Sequence, residues 1–128
     1  MAADWVWVDI EVAISAHDAQ LAEHGGAAGI RDRTMLESAM ARPNLTADGE
    51  PDAAALAASY AFGIARNHPF VDGNKRTAAV VGESFLNLNG RTLSCDDDAL
   101  VATFLALAAG TLTVDQLTDW FRHWTVEA

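Results

Sequence analysis

Between Asn74 and Asn89 the chain places Val80, Val81, Phe85, Leu86 and Leu88, with Ala78, Ala79 and Gly82, so that apolar residues cover much of a helix's circumference. A helix that is apolar on so many sides reads as buried, and it must be wrapped by other elements. Alanine, the strongest helix former, fills 26 of the 128 positions. Runs of β-branched residues are rare, so the wrapping elements are expected to be helices as well.

The spacing of apolar residues predicts an all-α fold, a compact bundle of about six helices. Ile10, Ile14, His17 and Leu21 make one stripe of a first helix that Gly25-Gly26 stops. A short second helix is capped by Asp32 or Thr34, with Glu37 as the capping-box partner of Thr34, and is expected to end at Pro43. Pro51 is expected at the first helical position of a third, alanine-rich helix. Leu56, Tyr60 and Ile64 share one of its faces. The residue before a proline is pushed out of the helical region, so His68-Pro69 ends that helix near Asn67. The largely apolar helix follows and is expected to be the central one. Arg91-Thr92-Leu93 reads as a short extended piece. Ser94 or Asp96 caps a fifth helix, with Leu100, Phe104 and Leu107 inside. Thr113 and Gln116 form a capping box for the last, which shows Leu117, Trp120, Phe121 and Trp124 on one face. The alternating start, Trp5 to Ile10, reads as a short strand or extended arm with both tryptophans packed on the body. No repeat, linker or boundary interrupts the chain, so residues 1–128 are expected to form a single domain.

Composition narrows the function. Cys95 is the one cysteine, so no internal disulfide forms and a reducing cytoplasm is the expected location. The start, Met1 to Trp5, lacks the basic and apolar segments of a signal peptide, and no apolar stretch is long enough to span a membrane. The net charge of −10 argues against general nucleic-acid binding, which needs a basic footprint. The cations are seven arginines and one lysine, Lys75.

That lysine lies in the segment His68-Pro69-Phe70-Val71-Asp72-Gly73-Asn74-Lys75-Arg76, at the start of the largely apolar helix. Unpaired N–H groups and the helix dipole make such a start an anion site. Gly73 lets the backbone approach an oxyanion closely. Lys75 and Arg76 oppose the dipole, at about 0.3–1 kcal/mol each, which is unfavourable for folding and favourable for binding phosphate. Asp72 would be out of place in a bare phosphate site, but Mg²⁺ is held by one or two carboxylates together with phosphate oxygens. Histidine ordinarily titrates near neutrality, which suits His68 to accept a proton from an attacking hydroxyl. Phe70 is the expected buried anchor of the loop. Together these residues point to phosphate or nucleotide transfer to a hydroxyl.

The same segment resembles the signature of the Fic/Doc family, H-x-F-x-[D/E]-G-N-[G/K]-R, with His68, Phe70, Asp72, Gly73, Asn74 and Arg76 at the specified positions and Lys75 at the variable one. Gly29-Ile30-Arg31-Asp32, Leu36-Glu37-Ser38-Ala39, Arg42-Pro43, the stretch from Ala61 to Asn67, and Phe85-Leu86 before Asn89-Gly90 extend the resemblance over nearly the whole chain. Within the family it is similar to the Doc branch. AMP-transferring members usually carry glycine where Lys75 stands and a second arginine where Ala79 stands.

The resemblance implies a Fic/Doc fold and a toxin that moves the γ-phosphate of ATP, with Mg²⁺, onto a protein hydroxyl. His68 would be the base, and Asp72 would hold the metal or orient the hydroxyl. Gly73 and Asn74 would form the anion cradle, with Lys75 and Arg76 neutralising the phosphates. Arg31 and Arg66 are candidate accessory residues. The implied target is elongation factor Tu, and the implied partner is a Phd-type antitoxin whose C-terminal segment blocks the toxin. An inhibitory motif, [S/T]-x-x-x-E-[G/N], is approached only by the stretch from Thr46 to Pro51, where Glu50 fits and Pro51 does not. Transfer of AMP and a catalytically silent binding module are the alternatives. The remaining candidates have plainer readings: Asp32 as a helix cap, Arg66 as a surface or capping residue, His17 and His24 as structural or solvent-facing, and Asp96-Asp97-Asp98 as complements to a helix dipole. His123, between Trp120 and Trp124, is expected to cover the core. Cys95 has no basic neighbours and is expected to be inert.

Overall fold

The computed structural model describes residues 4–49 and 51–127; the start at Met1 to Ala3 and Glu50 of the motif-like stretch lie outside them. Six α-helices follow one another: α1 (Ile10–His24), α2 (Arg33–Thr46), α3 (Ala53–Asn67), α4 (Asn74–Leu88), α5 (Asp97–Ala108) and α6 (Val114–Trp124). A 3₁₀ turn, Ala47–Gly49, follows α2. The sheet is minimal: β1 (Arg91–Leu93) pairs antiparallel with β2 (Thr125–Glu127), Thr92 opposite Val126. The fold is the all-α bundle the spacing predicts.

Helix starts follow local chemistry. Asp9, Asp32, Asp52, Asp96 and Thr113 each accept a backbone N–H in the first turn of α1, α2, α3, α5 and α6. Thr113 and Gln116 complete the expected capping box. Between Asp32 and Thr34 the structure selects Asp32, and between Ser94 and Asp96 it selects Asp96.

Three expectations are corrected. Pro43 does not end α2, which runs on to Thr46. Pro43 is buried, and Thr46 Oγ1 meets both the Arg42 carbonyl and Ser59 Oγ of α3, so packing carries the helix past the missing N–H. Pro51 stands before the N-cap rather than inside α3, because the Asp52 carboxylate takes the Ala55 N–H and leaves Pro51 outside. The central helix is α3, not α4: it packs on α2, α4, α5 and α6, and Leu56, Ala57, Ala58, Ala61, Ile64 and Ala65 are fully buried. Alanines let neighbours approach closely from every side. Gly63 does the same, since a methyl there would stand 3.2 Å from the Ala39 backbone. Large apolar residues make α4 look central in the sequence, but Glu83 and Asn87 stay exposed.

Trp5 and Trp7 tilt against Phe85, and Asn89 holds the arm through both polar groups of the Val6 backbone. The Val8 N–H donates to the buried Tyr60 hydroxyl. At the start of α3 the Arg122 guanidinium grips Asp52 through Nε and Nη2, at 2.8 and 3.2 Å. That contact, the first of several causes, holds the Asp52 carboxyl below its ordinary 3.8. A depressed carboxyl stabilises the fold above its unfolded value and loses that contribution as pH falls through the folded one. The pair is half exposed, so the effect is at most about 1 kcal/mol. Urea unfolding should therefore show the parent ahead of an Asp52→Asn variant at neutral pH, with the gap shrinking below 3.8.

Candidate active site

The segment from His68 to Arg76 joins the C-terminus of α3 to the N-terminus of α4. His68 caps α3 in the left-handed region, φ 49°. The loop is tied down on four sides. Phe70 is buried, pairs as an antiparallel bridge with Ile30, and stacks flat on His17 of α1, ring centres 3.9 Å apart. His17 Nε2 donates to the Asp72 carbonyl at 2.8 Å. The Asn74 side chain accepts from the Phe70 N–H and donates to the Phe70 carbonyl, both at 3.0 Å. Arg31 and Asp32 donate their backbone N–H groups to the Pro69 carbonyl, and Val71 donates to Gly29.

Two accessory candidates sit outside the cleft. Arg31 turns its guanidinium to the carbonyls of His68 and Asn67, at 2.7 and 2.9 Å. It closes the end of α3 and fixes the backbone of His68. Arg66 lies over the Phe62 ring. Phe70, the expected anchor, is 1% exposed. Of the two readings of His17, structural or solvent-facing, the geometry selects the structural one, in keeping with its place in the apolar stripe of α1.

The other candidates converge. His68, Asp72, Gly73, Asn74, Lys75 and Arg76 line one open cleft of about 270 Å³, with Val71 and Ala108. A smaller apolar hollow of about 170 Å³, walled by Ala79, Leu100, Val101, Phe104 and Leu105, adjoins it across Lys75 and Arg76. Together they reach the ~300–1,000 Å³ of small-molecule sites. Among the six α-helices only α4 begins without a side-chain cap: Gly73, φ 77°, occupies the position. The first-turn N–H groups of α4 are thus open to a ligand, beside two exposed cations. The Asn74 side chain is spent on the loop, so its share in an anion cradle is its backbone N–H.

Asp72 stands just outside this helix start. Oδ1 accepts from the Gly73 N–H at 2.8 Å, and Oδ2 lies 3.4 Å from the Ala27 nitrogen. The loop after α1 comes so close that a methyl on Gly26, φ 124°, would stand 2.8 Å from Asp72 Oδ2. No group of three or more metal-ligating side chains occurs among the described residues. Among the described residues Asp72 is the one carboxylate in the cleft, so a divalent cation would find a single protein carboxylate there and take its other donors from phosphates and water. Such a donor set fits Mg²⁺ arriving with a nucleotide. Among the described residues no helix is long and apolar enough to cross a membrane.

Elsewhere one reading is corrected: His123 does not cover the core but is exposed, its ring edge-on to Trp124. Asp96 caps α5 with Asp97 and Asp98 in its first turn. Burial raises the Cys95 thiol, the direction that disfavours the reactive thiolate.

Residues 7–86 match the pattern of the Fic/DOC family. The chain is 43% identical over 77 residues to the toxin Doc of Mycolicibacterium smegmatis, covering 58% of this chain and 59% of that protein. It is 32% identical over 115 residues to the protein kinase doc of Escherichia phage P1, covering 88% of this chain and 90% of that one.

Proposed function

The chain belongs to the Fic/DOC family, and from that membership we propose that it is a Doc-type toxin transferring the γ-phosphate of ATP to a protein hydroxyl. One observation carries the reading: an imidazole, a carboxylate and two cations face a single cleft at the one α-helix start among the described residues that lacks a side-chain cap. The names of the two relatives, a toxin and a protein kinase, support it. So does the pairing of Lys75 with Ala79, which lies in the apolar wall and supplies no second cation.

In this reaction the acceptor oxygen bonds to the γ-phosphorus while the bond from that phosphorus to the bridging oxygen breaks. ADP leaves, and the hydroxyl proton passes to the imidazole of His68. The N–H groups at the start of α4, with the side chains of Lys75 and Arg76, hold the phosphate oxygens and stabilise charge spread over them. Asp72 would ligate the Mg²⁺ that arrives with the nucleotide, an ion that would supply charge neutralisation. The tethered loop keeps these groups in register, which is where positioning contributes to rate.

The acceptor in this reading is elongation factor Tu. Control comes from a Phd-type antitoxin on a separate chain, and both place the action in the cytoplasm. Exposed Val101 and Leu105, 57% and 51% accessible, leave an apolar face beside the cleft for such an inhibitory segment.

The test is incubation with ATP labelled at the γ- or the α-position and purified elongation factor Tu. Label on the acceptor from the γ-position alone is expected. Label from the α-position alone would replace the reading with AMP transfer, and none from either, with nucleotide still bound, would favour a silent module. In the same assay Gly26→Ala, which pushes on Asp72 Oδ2, is expected to lower transfer by up to about 10²-fold.

A further inference from the structure

The charge of the molecule is unevenly placed. Arg91 and Arg122 pair with Glu127, Asp52 and Asp119 at the end of the bundle where α3 begins. Among the described side chains, none of the other six cations lies within ion-pair distance of a carboxylate. Lys75 and Arg76 belong to the cleft, Arg31 to the loop, and Arg33 stands exposed at the start of α2. Arg42 and Arg66 are used by neither. Both lay their guanidinium groups over Phe62, at 4.9 and 5.5 Å from its ring centre. Arg42 Nε is buried without a hydrogen-bond partner, so among the described side chains it is the Phe62 ring that holds this arginine. Arg66 is exposed and packs beside Gly110, in the turn that follows Ala108 at the edge of the cleft.

A guanidinium stacked on an aromatic face is rigid and still presents N–H groups at its edge, the geometry that takes carboxylates two bonds at a time. On a chain of net charge −10, an acidic protein is repelled from most faces and drawn to this one. A nucleic acid would meet the same repulsion along its whole phosphate track.

We propose that Arg42, Phe62 and Arg66 form the docking platform for an acidic segment of the protein whose hydroxyl is phosphorylated, and so determine which acceptor is used. The proposal rests on the phosphotransfer reading for its acceptor and on charge placement for its ligand. The two arginines do not touch the cleft, so they govern acceptor binding and leave the chemical step alone.

The experiment compares the parent with Arg42→Gln/Arg66→Gln, with Arg66→Gln alone, and with Arg91→Gln as a control from the other end. With γ-labelled ATP and elongation factor Tu, the double variant is expected to raise KM for the acceptor about tenfold, with kcat and KM for ATP unchanged. A second arm needs no catalysis. Fluorescence anisotropy with a glutamate-rich synthetic peptide should show binding by the parent that weakens with salt. The double variant should bind about tenfold more weakly, and Arg91→Gln should match the parent. If the double variant melts early, Arg66→Gln alone must shift the affinity in the same direction. Equal peptide binding by parent and platform variants would overturn the proposal. So would a single-stranded oligonucleotide that binds the platform more tightly than the peptide. A parent that labels nothing would sink the phosphotransfer reading, while the peptide arm still decides this one.

Discussion

Replacing His68 by asparagine is expected to slow phosphate transfer about 10²–10⁴-fold, the range for loss of a positioned general base, while leaving thermal stability close to that of the parent. The choice of asparagine matters. His68 is the only non-glycine residue with positive φ among the described residues, and asparagine tolerates that conformation better than most side chains. Alanine would mix backbone strain with the loss of the imidazole. The contacts that fix this residue run through its backbone, from the Arg31 guanidinium to its carbonyl and from its N–H to Ile64, so they survive the exchange. Transfer rate with γ-labelled ATP and a melting curve on the same sample make the measurement. A variant as fast as the parent would remove His68 from the chemistry.

Replacing Phe70 by alanine is expected to cost about 3–5 kcal/mol of stability, as removal of a fully buried aromatic side chain does, from a total of about 5–15 kcal/mol. Activity should fall with it. Phe70 is the point where four restraints meet: the stack on His17, the bridge to Ile30, and both hydrogen bonds from Asn74. Without the ring, the carbonyl of Asp72 and the polar groups of Phe70 lose their common reference. Urea unfolding should show the loss at an unchanged slope, since the surface exposed on unfolding stays similar. A loss under about 1 kcal/mol, against about 3–5 for a buried phenylalanine, would mean that the site collapses almost completely around the gap. The loop would then be held from elsewhere. The two variants separate chemistry from scaffold, because only the second lowers both quantities.

Much of this architecture was legible in the sequence, wherever a single residue decides a local outcome. Asp32, Asp96 and Thr113 announce helix starts because a short acceptor beside free N–H groups has one favourable use. His68-Pro69 and Asp72-Gly73 mark the break between α3 and α4 for the same local reason. The gathering of His68, Asp72, Lys75 and Arg76 at one cleft follows from their position at a helix start, and the structure places them there. What escaped depends on contacts across the chain. Pro43 stays inside α2 because Ser59 of α3 helps to hold Thr46. The centrality of α3 rests on alanines, whose burial leaves little periodic trace. The strand at Thr125–Glu127 exists only because Arg91–Leu93 lies beside it. His17 and Asn74 look like a structural histidine and a phosphate ligand in the sequence. In space both side chains hold the loop.

The central claim is that the cleft beside His68 receives the triphosphate with its γ end toward the imidazole. A crystal structure with a non-hydrolysable ATP analogue and Mg²⁺ tests it most directly. The account predicts phosphate oxygens on the N–H groups of Asn74 to Arg76, the γ-phosphorus nearest His68, and the ion between Asp72 and the phosphates. An analogue bound with its α-phosphorus nearest His68, or bound away from the start of α4, would contradict it.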